Sequence, residues 1–509
     1  MSVFKRNVAA NFAANIWQVL MGVASVPIYI HLLGMEAYGL AGFYGALQAT
    51  LGLLEAGLRA TINRELARHA AWPDRADEVR DLSRSLEIIY WMAGALLAVG
   101  IGALASWLAR DWIKTEALPI TVVRQSVILM GIGIAFQWPI SLYSGGLMGL
   151  QRQVLLSAMN STFTTLRGLG AILIIWKVSP VITSFFLWQV TITAVQAAVM
   201  APVFWRALPA GKRRAKFSLS ELRKVWRFTV GMGATGSVTF LLSQLDKVVL
   251  SKFLTMSKFG IYNLANQVNI VVRMPAISIC AALLPKTTLL CAKEDEDGLR
   301  IAVHDACQFL AAIVLPMSAT IVFFSHELLF FWTRNSEAAR LAAPIASVLA
   351  LGSALNGLMS IPYELTVARG WTAFGFYQNL VSAIVLVPIM LMLVAWQGGL
   401  GAAGAWLVLN LGYITVSAPI IFRRVLPGEL GRWYLTDVGR PLAISLVGMG
   451  LARLLLPGAH HLWRQMAVII VAWLITQLLC AFSVPVLRVK MGQLYSSRKD
   501  WYHGLRFAK

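Results

Sequence analysis

Charge is scarce in this chain, and acid is scarcer than base. Charged residues make up 13% of 509, with 23 Asp+Glu against 44 Lys+Arg. Soluble domains carry about 25% charged residues. Surface-to-volume geometry does not let a water-soluble protein hide a composition that is 58% hydrophobic. Cysteine is rare too. Cys280, Cys291, Cys307 and Cys480 fit no zinc spacing, and most sit in apolar stretches, which predicts buried, inert thiols. No metal site is expected: the pairs His304–Asp305 and His326–Glu327 read as interfacial residues near span ends. The chain has no phosphate-binding Gly-Lys loop and no large polar region to hold a nucleotide. That excludes a nucleotide-driven pump and leaves no enzyme signature, catalytic residue or cofactor. No small-residue cleavage site follows Met1–Arg6, so the first apolar run is expected to be retained.

What remains is apolar sequence in long runs, with a mean hydropathy of +0.69. The solvent for most of it must be lipid. Fourteen runs predict an all-α polytopic membrane protein with about 14 transmembrane helices, roughly 10–33, 37–57, 87–109, 123–148, 154–176, 181–205, 226–252, 259–284, 301–331, 343–367, 373–396, 400–422, 440–457 and 464–487. Pro316 is expected to kink the long ninth run. The net charge of +21 suits loop cations that set orientation and touch anionic lipid, not nucleic acid. With the N-terminus inside, Lys and Arg favour the inner loops by roughly three to one. Both termini are therefore expected in the cytoplasm.

The chain repeats itself. Leu33-Gly-Met-Glu-Ala-Tyr-Gly39 joins the first two runs, and Leu254-Thr-Met-Ser-Lys-Phe-Gly260 joins the seventh and eighth, an offset of 221 residues. Two six-helix halves follow, 1–205 and 226–424, with a basic linker at 206–225, two added helices at 425–487 and a basic tail at 488–509. Six spans per half make the repeats parallel, about an axis along the membrane normal. The linker is expected to lie along the membrane surface.

Several motifs carry a family resemblance. They are Asn11-Phe-Ala-Ala-Asn15; Pro27-Ile-Tyr-Ile-His-Leu-Leu-Gly34-Met-Glu36-Ala-Tyr38-Gly39-Leu; Leu54-Glu55-Ala-Gly57-Leu; Arg64-Glu65-Leu-Ala67-Arg68; Gly149-Leu-Gln151-Arg152-Gln; Leu245-Asp246-Lys247-Val-Val-Leu; and Phe259-Gly-Ile-Tyr262-Asn-Leu-Ala265. In this order the chain resembles Wzx-type bacterial polysaccharide flippases, members of the superfamily that contains the MATE drug exporters and the lipid II flippases. The resemblance implies two six-helix lobes in a MATE-like V arrangement around a cavity. It implies an undecaprenyl-diphosphate-linked oligosaccharide substrate, of O-antigen or exopolysaccharide type, moved to the outer leaflet of a bacterial inner membrane. It also implies contact with a polysaccharide polymerase and other assembly proteins. The two added helices would form a groove for the lipid tail or a stabilising lid. The family often carries Asp where this chain has Glu55.

A diphosphate in an apolar medium needs cations. A buried phosphate without partners costs many kcal/mol, and Arg suits it by staying charged and forking its hydrogen bonds. In-span charges are costly and usually face a cavity. Arg273 in the eighth span and Arg167 in the fifth, among Thr164, Thr165 and Gly168, are the first candidates for substrate contact. Arg59 and Lys247 complete that set. Glu55 and Arg59 are spaced to pair on one helix face. Coupling of Na⁺ or H⁺ falls to Asp246, with Asn379 as its partner, to Glu364, for which Arg369 is the alternative partner, and to Glu55. In related flippases a sodium site joins the seventh span to later helices of the same lobe; Asp246 is the residue that matches. Most of the 18 Trp read as an interfacial belt. Trp138 and Trp188, beside Gln137 and Gln189, are the cavity candidates. A MATE-type drug exporter, a lipid II flippase and a non-transporting scaffold are the competing readings. The exporter predicts an acidic cavity and twelve spans, which the in-span arginines oppose.

Overall fold

In the computed structural model, which describes residues 3–69, 75–456 and 462–484, the chain is helical throughout. The expected tail at 488–509 lies outside the described residues. The helices are α1 (Val3–Leu33), α2 (Met35–His69), α3 (Ala76–Trp112), α4 (Ile120–Gly149), α5 (Gln153–Lys177), α6 (Ile182–Ala207), α7 (Leu219–Phe253), α8 (Met256–Ala292), α9 (Glu296–Thr333), α10 (Ser336–Ala368), α11 (Thr372–Gln397), α12 (Gly399–Val425), α13 (Leu430–Leu455) and α14 (Leu462–Ser483). Among the described residues, eleven helices are long and apolar enough to cross a membrane. The only β-type pairing described is an isolated bridge between Lys114 and Thr255.

Helix ends follow local chemistry. Ser218 caps α7 by accepting the Glu221 amide, with Glu221 in the matching capping-box position. Asp295 and Asn335 cap α9 and α10, taking the amides of Gly298 and Ala338 at 2.8 and 2.9 Å. Gly34, at φ +85°, makes the one-residue turn between α1 and α2. The expected break in α9 is displaced. Its backbone leaves helical geometry at Phe324, two turns beyond Pro316. Phe324 is fully buried there against Met449, Ala452, Met466 and Ile469 of α13 and α14, and packing on the added helices sets the bend.

The helices cluster into two compact units, Met1–Gly260 and Ile261–Lys509. In the first, α2 packs on α7 and α4, α4 on α3 and α6, and α5 on α1 and α6. In the second, α9 is central, touching α10, α13 and α14, while α12 packs on α10 and α11. The division falls after α7 and the first turn of α8, whereas the repeat starts its second half at 226. Helix α6 ends at Ala207 and α7 begins at Leu219, so the non-helical linker is 208–218.

The two copies of the repeated turn touch each other. A Cβ on Gly39 would lie 1.9 Å from the Met256 carbonyl oxygen, and one on Gly260 would lie 2.7 Å from the Met35 carbonyl oxygen. The obstacle in each case is backbone, which cannot swing aside. Gly39→Ala is therefore expected to destabilise the protein by about 1–3 kcal/mol. Its thermal unfolding midpoint in detergent should fall. Gly22→Ala, with nothing within 4 Å, should leave the midpoint unchanged. Equal midpoints for the two variants would refute the tight crossing.

Candidate functional site

Arg167 sits mid-way along α5 and is half-buried. Its Nη2 donates to Gln196 Oε1 of α6 at 2.6 Å. Tyr44 of α2, itself buried, flanks the guanidinium. Arg167 Nε is buried without a hydrogen-bond partner among the described residues, and no carboxylate lies within ion-pair reach of it there. Gln189 donates to the Arg167 carbonyl at 3.4 Å, and Trp188 Nε1 to the Leu166 carbonyl at 3.0 Å. The sequence neighbours Trp188 and Gln189 thus brace the helix turn that carries Arg167. Trp138 does not join them: it is buried edge-on against Tyr90.

Glu55 and Arg59 share a face of α2, as their spacing predicts, but they form no ion pair. Glu55 lies toward Ser141 of α4, and its Oε2 is buried without a hydrogen-bond partner among the described residues. Arg59 is exposed and its stem packs along Gly145. On α7, Lys247 Nζ donates to Gln244 Oε1 at 3.0 Å, and Asp246 is half-buried.

The second unit holds Arg273, Glu364 and Asn379. Arg273 is exposed on α8, with its guanidinium 5.9 Å from the centre of the Trp406 ring of α12. No carboxylate pairs with it among the described residues. The indole is fixed by its surroundings. Gly352 of α10 leaves room for it, since a Cβ there would meet Trp406 Cδ1 at 2.5 Å. Asn410, one turn on, donates to the Trp406 carbonyl at 2.7 Å and accepts from Asn356 at 2.9 Å. Glu364 is half-buried toward Cys280. Arg369 does not serve it: it pairs with Glu296, which it reaches at 2.6 Å because α9 starts beside the end of α10. Asn379 is half-buried on α11.

Three clusters were not legible in the sequence. Glu87 of α3 is buried and accepts from Arg84 at 2.7 Å, Tyr143 at 2.8 Å and Trp205 at 3.0 Å. It lies on a cavity of 460 Å³ whose walls include Trp91, Phe136 and Ala197. Its position at the edge of an apolar run gave no hint of a second and third partner. His304, expected at an interface, is instead 1% exposed and lies between Asp437 and Glu429. Its partners come from the α12–α13 connection and α13, more than a hundred residues away. Asp81 of α3 binds the linker through Arg213. His326 stacks on Phe330, and Glu327 pairs with Arg453 of α13. Among the described residues no group of three or more His, Cys, Asp or Glu could hold a metal ion.

The feature common to these helices is strong charge inside apolar rods, with two arginines that no carboxylate neutralises among the described residues. A family profile described as polysaccharide biosynthesis protein matches residues 4–288. The chain belongs to that family. A second profile, MatE, matches residues 233–392. A putative O-antigen transporter of Shigella flexneri is 19% identical over 409 residues, covering 80% of this chain and 94% of the relative. The teichuronic acid biosynthesis protein TuaB of Bacillus subtilis (strain 168) is 23% identical over 366 residues, covering 70% and 68%. Among solved structures, the lipid II flippase MurJ in an inward closed conformation superposes with a TM-score of 0.70 at 12% identity, over 91% of this chain and 97% of that one. The fold is therefore that of the MATE and MurJ group. The resemblance to Wzx-type flippases holds, and the family is one of transporters rather than enzymes. The chain is a multi-pass membrane protein.

Proposed function

We propose that this chain carries undecaprenyl-diphosphate-linked oligosaccharide units from the cytoplasmic to the outer leaflet by alternating access of its two six-helix halves. The observation that carries the reading is the pair Arg167 and Arg273. Each is a guanidinium inside an apolar helix with neutral partners: Gln196 at 2.6 Å for one and the Trp406 ring for the other. An in-span cation costs roughly 2.5–3.5 kcal/mol on insertion scales. A diphosphate supplies the missing negative charge, and guanidinium forks fit its oxygens. Arg59 and Lys247 would extend the cationic path. The oligosaccharide needs polar walls, and the lipid tail can stay in the bilayer.

With no nucleotide site in the sequence, the driving force would come from an ion gradient or the membrane potential. Glu55, with a buried carboxylate oxygen that has no hydrogen-bond partner among the described residues, is the best-placed group to take up H⁺ or Na⁺, with Asp246, Asn379 and Glu364 as the others. Both termini would face the cytoplasm, where the synthesis machinery would deliver the glycan, and a polysaccharide polymerase would receive it on the outer side. The test is lipid extraction from a deletion strain, with mass spectrometry of the undecaprenyl-linked intermediates. Intact oligosaccharide-diphosphate-lipid should accumulate, and wild type but not Arg273→Ala should clear it. A normal lipid profile with new sensitivity to cationic drugs would replace this reading with a drug exporter.

A further inference from the structure

The linker 208–218 and the first turns of α7 are built as one surface. The linker is strapped to α3 at several points. Arg213 grips Asp81 with both terminal nitrogens, and Asp81 Oδ1 also accepts the Lys216 amide at 2.8 Å. The Ser218 amide donates to Ser85 Oγ at 2.8 Å, and Arg80 donates to the Pro209 carbonyl at 3.1 Å. Asp81 is nearly buried, at 8% side-chain exposure, so this is an anchor and not a passing surface contact. The hydrogen bond from Arg213 holds its guanidinium further up, firmly charged.

The anchor consumes Arg213. Lys224 is likewise consumed by Glu221 at 2.6 Å and Glu78 at 3.4 Å. Lys212, Arg214, Arg223 and Arg227 remain exposed, with no carboxylate partner among the described residues, while the exposed Lys216 lies within electrostatic reach of Asp81. Interleaved with them are Phe217, Leu219 and Trp226, each more than half exposed. On α7 the pattern has a helical period. Leu219, Arg223, Trp226 and Val230 recur at i, i+4, i+7 and i+11 and form one outward stripe. Val225 and Thr229 point the other way, toward α2, where Thr229 Oγ1 lies 2.7 Å from Thr61 Oγ1.

The length of α7 says where the stripe lies. Its 35 residues span about 50 Å at 1.5 Å per residue, against about 30 Å of hydrocarbon. With the apolar run 226–252 across the bilayer, as the sequence predicts, the first turns of α7 extend into the headgroup region. An apolar stripe alternating with unpaired guanidiniums there has aromatic and aliphatic groups to sink into the acyl boundary and cations to meet phosphate.

We propose that the strap and the first turns of α7 form a docking surface for anionic phospholipid headgroups, oriented by the Asp81–Arg213 anchor. Asp81 is the positioning residue. It holds Arg213 in an ion pair and fixes the backbone from which the other linker cations project. The surface does not depend on what the protein transports.

The test uses purified full-length protein in mixed micelles of phosphatidylglycerol and phosphatidylcholine, with bound lipids counted by native mass spectrometry. Wild type should retain phosphatidylglycerol in preference. The triple variant Arg214→Gln/Arg223→Gln/Arg227→Gln should lose that preference by on the order of tenfold. Arg110→Gln/Lys177→Gln/Lys258→Gln, three exposed cations away from this surface, should keep it. All six side chains are exposed, so thermal midpoints should match wild type and separate lipid loss from misfolding. No preference in the wild type, its survival in the first variant, or an equal loss in both would overturn the proposal.

Discussion

Arg167→Gln is expected to slow transport at least tenfold while leaving the protein as stable as before, or more so. The two effects part company because of what surrounds the guanidinium. Its described hydrogen bond goes to the neutral Gln196 at 2.6 Å, and its Nε has no partner among the described residues. A structural arginine in a membrane helix is normally held by a carboxylate, and removing it strands that carboxylate. Here none is stranded. Removing the charge relieves an insertion cost of roughly 2.5–3.5 kcal/mol and loses one hydrogen bond worth about 1–3 kcal/mol. The thermal midpoint in detergent should therefore stay level or rise. If Arg167 meets the diphosphate, the rate at which the lipid-linked intermediate is cleared should fall at least tenfold, the equivalent of about 1.4 kcal/mol. Arg167→Lys keeps the charge but not the fork and should recover only part of the rate. Full clearance by Arg167→Gln would make the residue a bystander. A collapsed midpoint would make it structural.

The contrast between Arg167 and Glu87 shows what a sequence of this kind can disclose. A cation in the middle of an apolar run is visible because lipid penalises it, and the penalty applies whatever the fold. Arg167 and Arg273 stand out in the sequence for that reason, and so do the helices with their approximate ends. Glu87 lies at the edge of its run, where a carboxylate is cheap, and its three partners come from α3, α4 and α6. His304 looked interfacial for the same reason. The fold buries it by bringing in Asp437 from 133 positions away, on a stretch of π-helix that no periodicity announces. The repeat was legible as a repeat, but not the fact that Gly39 of one copy packs on the turn of the other. The bend of α9 was legible as a bend. Its place was not, because Phe324 is held by helices that the proline knows nothing about. Local preference and solvent cost can be read along a chain, whereas a partner far along it must be supplied by the fold.

The same reasoning gives His304→Ala a large expected cost in stability. Nδ1 of His304 contacts Asp437 Oδ2, and Nε2 lies 3.0 Å from Glu429 Oε2. The ring therefore has a carboxylate oxygen at each of its two nitrogens and ties both acids to α9. Gln308 supplies a further donor to Asp437 at 2.8 Å, and Arg300 Nε lies 2.9 Å from Glu429 Oε1. Asp437 is fully buried, so deleting the ring leaves it, among the described residues, with the Gln308 amide. Stranding a buried charge in this way costs about 3–5 kcal/mol. The loss should appear as a lower unfolding midpoint and faster proteolysis at 426–429, where α12 joins α13, because the cluster ties α13 to α9. The decisive measurement is the double variant. Asp437→Asn should also destabilise alone, by removing the carboxylate that the buried ring contacts. His304→Gln/Asp437→Asn replaces the charges with neutral donors and acceptors of similar size and should recover more than half of the loss. Single effects that merely add would show that the residues act independently, and the charged tie between α9 and α13 would then have to be abandoned.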